Sequence, residues 1–213
     1  MERSFLNLPD STFINKPLPK TQFFKHFGTN TKEQSKFDED ISRIYIENLI
    51  SENTIALSSG NNIKMFYVLK VLLKHKEYSE KSITTIAKNI PQNIIFALCS
   101  ENTVQLSVLY NNIYYKTQWK EDSETELKIE GLNVEAVWNN CISKIAKLDD
   151  EISDTEELKL SLETKSKIEA LEKQIEKLDK KARKEVQPRQ KFDLVQQIKN
   201  IKKEIENLKE EGN

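Results

Sequence analysis

Glycine is scarce in this 213-residue chain, with four in all and none in a Gly-x-x-x-x-Gly-Lys-Ser/Thr frame. A loop of backbone amides cradling nucleotide phosphates is therefore absent, which excludes a P-loop ATPase. Histidine is scarcer still, at His26 and His75. Neither is accompanied by a Cys or by an Asp/Glu pair at ligand spacing, so the sequence offers no metal site. The two cysteines, Cys99 and Cys141, stand far apart in apolar contexts. They read as buried free thiols in a reducing compartment rather than as a disulfide. No apolar run approaches the ~20 residues that span a bilayer. The first residues lack the apolar core and cleavage site of a signal peptide, so the expectation is a cytoplasmic chain with no membrane contact. Nor is there an excess of either charge: 33 Lys+Arg face 34 Asp+Glu. That removes the overall basic field that drives non-specific nucleic-acid binding. No nucleophile elbow occurs either. The sequence thus shows no complete catalytic constellation and implies no cofactor.

The charge that is present is unevenly spread. Residues 1–146 hold 17 Lys+Arg and 17 Asp+Glu, and residues 147–213 hold 16 and 17 in less than half that length. The front of the chain is ordinary enough to bury a core, and the tail is dense in charge. This predicts an α/β (α+β) domain over 1–148, a linker over 149–155 and a separate helical unit over 156–213.

Within the front part, Pro17 and Pro19 exclude a helix across Lys16–Lys20, and a short helix over Thr21–Phe27 would end at Gly28. Phe37, Ile41, Ile44, Tyr45 and Leu49 recur at helical spacing and predict a helix over Thr31–Leu49. Apolar stretches at Thr54–Leu57 and Ile63–Leu73 flank Ser58–Asn62, which reads as a hairpin. A helix over Ser79–Asn89 is stopped by Pro91. Asn93–Cys99 is a continuous apolar strand of the kind covered on both faces. Thr103–Leu109 alternates, Ile113–Trp119 adds an aromatic strand, and Asn111-Asn112 suits the turn between them. A short strand at Leu127–Ile129 and a helix over Val134–Leu148 complete a compact domain with a mixed sheet.

In the tail, Ile168, Leu171, Ile175, Leu178 and Ala182 follow coiled-coil spacing, as do Leu194, Ile198, Ile201, Ile205 and Leu208. Pro188 lies between the two stripes and cannot sit inside a helix without kinking or breaking it. The prediction is an antiparallel coiled-coil hairpin. About five apolar side chains per helix only just offset the ordering entropy of some fifty residues. Such a hairpin wants a further surface, and its seam residues are the candidate protein-binding surface. Lys180, Lys181, Arg183, Lys184, Arg189 and Lys191 cluster round its tip and are candidates for contact with nucleic-acid phosphates.

Two further stretches invite chemistry. A Glu47-bearing helix followed by strands and a crossover helix follows the order of restriction-endonuclease-like nucleases. Such enzymes need carboxylates on adjacent strands to hold Mg²⁺. Between Glu52 and Glu77 there are Lys70 and Lys74 but no acid, so a nuclease of this type would be degenerate. Tyr114-Tyr-Lys-Thr-Gln-Trp119 is able to stack bases, but an aromatic strand more often packs a core.

Several phrases together resemble a prokaryotic family known as domain of unknown function 4391. They are Leu8-Pro-Asp-Ser-Thr-Phe-Ile-Asn-Lys16 with Pro19-Lys20, Ile90-Pro91, Tyr114–Trp119, Ile129-Glu-Gly-Leu132, and Ala182-Arg-Lys-Glu-Val-Gln187 leading to Lys191-Phe-Asp-Leu194. The resemblance covers nearly the whole chain. It implies a non-catalytic accessory subunit of a restriction- or defence-type DNA-acting complex, partnered by a helicase or a DNA methyltransferase. No catalytic residue is carried over. The alternatives are a nuclease or DNA-binding module using the α/β domain, and self-association through the hairpin.

Overall fold

The computed structural model describes residues 5–25, 31–148 and 152–211. His26, Phe27, Gly28 and the start of the expected linker, 149–151, lie outside them. The chain divides into two compact units, Met1–Thr155 and Glu156–Asn213.

The first unit is built on one mixed sheet. Its strands are β1 (Phe13–Leu18), β2 (Ile41–Ser51), β3 (Met65–Leu73), β4 (Ile94–Ser100), β5 (Thr103–Tyr110), β6 (Ile113–Lys116) and β7 (Lys120–Glu121). The first six lie side by side in sequence order, and β7 pairs with β5. Neighbours run antiparallel except β3 and β4, which are parallel, with Leu69 opposite Phe96. A parallel pair needs a long crossover. Helix α3 (Glu80–Asn89) supplies it, stopped before Pro91.

Alternation along the central strands divides the core. Leu69, Val71, Leu73, Ile94, Phe96 and Leu98 face a cluster with Phe23 of α1 (Thr21–Phe24), Phe37 of α2 (Thr31–Asp40), and Ile83 and Ile86 of α3. Helix α4 (Val134–Ala146) packs against β3, β5 and β6, and its Trp138 ring lies 5.2 Å from Phe66. Its N-terminus is capped by Asn133, whose side chain accepts from Ala136 N. The expected apolar face of α4 is buried, and so are Glu135, Asn139, Asn140 and Ser143 on its other sides. Asn139 donates to Ser153 O at 2.9 Å, and Asn140 to Glu130 O at 2.9 Å.

The helix expected over Thr31–Leu49 stops at Asp40, and Ile41 onward is strand. Two register shifts in β2, between Ile41 and Arg43 and between Ile46 and Asn48, explain the misreading. Each bulge adds a residue, so the buried positions fall at Ile41, Ile44, Glu47, Asn48, Ile50 and Ser51 instead of alternating. Bulged strand and amphipathic helix then share one spacing. Thr54–Leu57 is loop, and β2 itself is the antiparallel partner of β3. Thr54 Oγ1 donates to Leu49 O at 2.8 Å, which ends β2 in a turn. Leu127–Ile129 forms no strand, and β7 takes the place beside β5. The Asn111-Asn112 turn is as expected, with φ of 48° and 62°, the left-handed pair that a two-residue hairpin of type I′ requires.

The second unit is the hairpin. Helices α5 (Thr155–Lys184) and α6 (Pro188–Glu211) pack closely on one another. Pro188 occupies the first position of α6, where its missing N–H costs nothing.

Candidate functional site

In the hairpin, burial follows the predicted stripes and also takes in Leu158 and Leu162, which precede the first stripe on α5. Ala182, Ile201 and Ile205 are buried, and Ile168, Leu171, Ile175, Leu178, Leu194, Ile198 and Leu208 are half-buried, among exposed charged neighbours. The two stripes therefore cover each other without closing a complete core. Outside the stripes, four large apolar side chains of this unit are exposed: Leu160, Val186, Phe192 and Val195, by 66%, 89%, 61% and 48%. Phe192 and Val195 share a face of α6 at i, i+3 spacing, and Val186 lies in the 185–187 connection. Seam spacing could not reveal them, because they fall off the seam; a Phe among charged residues was the available signal.

Lys180, Lys181, Arg183, Lys184, Arg189 and Lys191 are all exposed at the same tip. Arg183 is held by Asp179 one turn back, at 2.7 Å. The Glu185 carboxylate folds onto the connection, accepting from Val186 N and Gln187 N at 2.9 Å each. The anion nearest the tip is thus engaged with backbone amides, and the tip presents cations beside apolar surface.

In the sheet, Glu47 and Lys70 do meet, but strand to strand and not helix to strand: Lys70 Nζ lies 3.4 Å from Glu47 Oε1 across β2 and β3. Glu47 is 5% exposed. Lys70 Nζ also stands 4.1 Å from the centroid of the Phe5 ring, a favourable cation–π position. On β4, burial pushes the Cys99 thiol up to about 12, which keeps it protonated and unreactive near neutral pH. Lys74 lies beyond the end of β3 and is exposed. Among the described residues no group of three or more His, Cys, Asp or Glu is placed to hold a metal ion. A lone carboxylate beside a lysine is short of the oxygen ligands Mg²⁺ takes.

The aromatic stretch packs. Tyr114 and Trp119 lie against the core, Trp119 edge-on to Tyr78 at 6.5 Å. The Tyr78 hydroxyl donates to Gln105 Oε1 at 2.6 Å and lies 3.0 Å from that of Tyr114. Burial pushes the Tyr114 hydroxyl up to about 12.

Sequence reasoning passed over Asp40, the fully buried last residue of α2. Its Oδ2 accepts from Ser79 N at 2.8 Å and Ser82 Oγ at 3.1 Å, so it caps α3 from another helix. Lys36 Nζ reaches its Oδ1 at 2.7 Å, and His75, about half exposed, stands 3.7 Å away. This is a structural carboxylate at a helix N-terminus, where negative charge is favoured.

A mixed-sheet α/β unit followed by a helical hairpin, without a described metal cluster, defines the class. The chain belongs to the family described as Domain of unknown function (DUF4391), whose model matches residues 6–205. No curated protein and no solved structure matches the chain. Among the described residues no helix is long and apolar enough to cross a membrane.

Proposed function

We propose that the protein is a non-catalytic accessory subunit of a prokaryotic anti-phage or restriction-type DNA-acting complex, and that its hairpin docks a helicase or a DNA methyltransferase. The observation that carries this reading is the hairpin tip, where exposed Val186, Phe192 and Val195 stand among six exposed cations. An aromatic anchor ringed by charge is what a docking surface needs. The cations suit an acidic rim on the partner, or phosphates of nucleic acid held in the same complex. The test is co-purification of helicase and methyltransferase partners with the full-length chain and with Phe192→Ser/Val195→Ser. The proposal expects recovery to fall at least tenfold in the variant, with circular dichroism unchanged. Equal recovery overturns it.

The Glu47–Lys70 pair, with the carboxylate buried and the lysine 28% exposed, favours a second reading, a degenerate nuclease or DNA-binding module using the sheet. A carboxylate taken out of water costs stability that a half-exposed lysine only partly offsets. Duplex-DNA binding by the full-length chain, read by fluorescence anisotropy, that weakens at least tenfold in Lys70→Ala and not in Phe192→Ser/Val195→Ser would support that reading over the first. DNA binding that is absent, or that survives Lys70→Ala, would remove it.

A further inference from the structure

Along its own axis, α6 changes charge. Residues 188–203 hold five cations and one acid, Asp193, whereas residues 204–211 hold four acids and one cation. The buried and half-buried residues Leu194, Ile198, Ile201 and Ile205 fix the face of α6 that forms the seam. On the side away from it, Arg189, Phe192, Gln196, Lys199 and Lys203 follow one another at spacings of three and four, which places them in one line. All five are exposed. Asp193 adjoins the seam residue Leu194 and falls outside the line, so no carboxylate interrupts it. Arg183 on α5 is engaged by Asp179; among the described residues no carboxylate stands within ion-pair distance of Arg189, Lys199 or Lys203. From Arg189 to Lys203 the line runs about 21 Å at ~1.5 Å per residue, the length of about six stacked nucleotides at ~3.4 Å each.

Cations alone favour any polyanion, and the exposed ring among them discriminates. A duplex turns its phosphates outward and keeps its base faces stacked inside, so it offers Phe192 nothing to stack on. A single strand offers both a backbone and free base faces. Proteins that hold it without regard to sequence combine a basic track with aromatic platforms. Gln196, next along the line after Phe192, adds an amide that can donate to or accept from a base edge.

We infer that this outer face of α6 binds single-stranded nucleic acid, with phosphates along Arg189, Lys199 and Lys203 and one base stacked on Phe192. The inference goes beyond docking and does not rest on it: docking uses apolar bulk at Phe192 and Val195, whereas stacking needs a ring.

The test follows the fluorescence anisotropy of a labelled twelve-nucleotide oligothymidylate titrated with the full-length chain alone. Saturable binding is expected, at least tenfold tighter than to a duplex of the same length. Its log affinity should fall against log salt with a slope of about −2, the value for three phosphate contacts on a single strand. Lys199→Glu/Lys203→Glu, both exposed and away from the seam, should weaken it tenfold or more. Phe192→Leu keeps the bulk and removes the ring, and should weaken it at least fivefold. Because docking is read with the partner present and in Phe192→Ser/Val195→Ser, failure of one proposal is distinguishable from failure of the other. Lys70→Ala should leave strand binding intact. The inference is overturned by absence of saturable binding, by equal or tighter binding of the duplex, or by unchanged affinity in either α6 variant. Loss of binding in Lys70→Ala overturns it too, as does equal displacement by polyglutamate, which would mark a site for acidic protein surfaces.

Discussion

Single atoms decide much of the first unit's stability. A Cβ added at Gly60 would lie 2.1 Å from Glu135 Cβ. The same Glu135 carboxylate accepts from Asn62 N, Asn62 Nδ2 and Thr155 Oγ1 at 3.1, 3.0 and 2.9 Å. Gly60→Ala must displace this loop, and a loss of about 1–3 kcal/mol is expected in a denaturant titration, the scale of overpacking. Asp40→Ala removes the acceptor of Ser79 N and should cost about 1–2 kcal/mol, the scale of a lost cap; Asp40→Asn keeps one acceptor oxygen and should cost less. Buried acids set the response to alkali. Burial raises Cys141 and Cys99 from 9.0 to about 12, and Tyr114 from 10.0 to about 12. A folded state that holds these protons more tightly than the unfolded chain is favoured below the unfolded values. Stability should then be level up to about pH 9 and fall between 9 and 12, as measured by denaturant midpoints. Cys141→Ala should be less stable at neutral pH and show a shallower alkaline decline.

At the scale of elements, the hairpin's spacing and its proline are local facts, and Leu194–Leu208 was legible as a seam for that reason. Ile201 and Ile205 are its best-buried members on α6, at 8% exposure each. Ile201→Ala should cost about 2 kcal/mol, the low end for a core truncation because the seam is only partly closed. The loss should appear as weakened hydrogen-exchange protection confined to α5 and α6. In the first unit, Asn112→Gly should keep the β5–β6 turn, and Asn112→Val should weaken it by about 1–2 kcal/mol, since φ there is 62° and a β-branched residue resists that region. Strand β2 was not legible as a strand. Its bulges place Ile41 and Ile44 three apart, and nothing in the adjacent sequence distinguishes that from a helix turn.

For the molecule as a whole, the docking proposal and fold stability separate cleanly. The tip cations are exposed, and the anion beside them already serves the connecting loop. Lys184→Glu/Arg189→Glu should therefore shift the unfolding free energy by no more than about 0.5 kcal/mol. Where binding uses these cations, the same variant should weaken capture of its partner or of DNA most at low salt, because screening removes the contribution of exposed charges. Unchanged capture at low salt would show that the cations are only a solvated helix end.

The sequence by itself determined the elements whose causes lie within a few residues: the two seams and the Pro188 break, the Asn111-Asn112 turn, the α3 stop at Pro91, and the doubly covered strand β4. The tertiary structure alone decided that residues 41–51 are extended, that Glu47 meets Lys70, that Asp40 caps a helix 39 residues away, and that α4 is buried on its polar sides as well. Each of these rests on partners distant in sequence. Spacing records which side chains share a face, and only pairing across the sheet determines what that face meets.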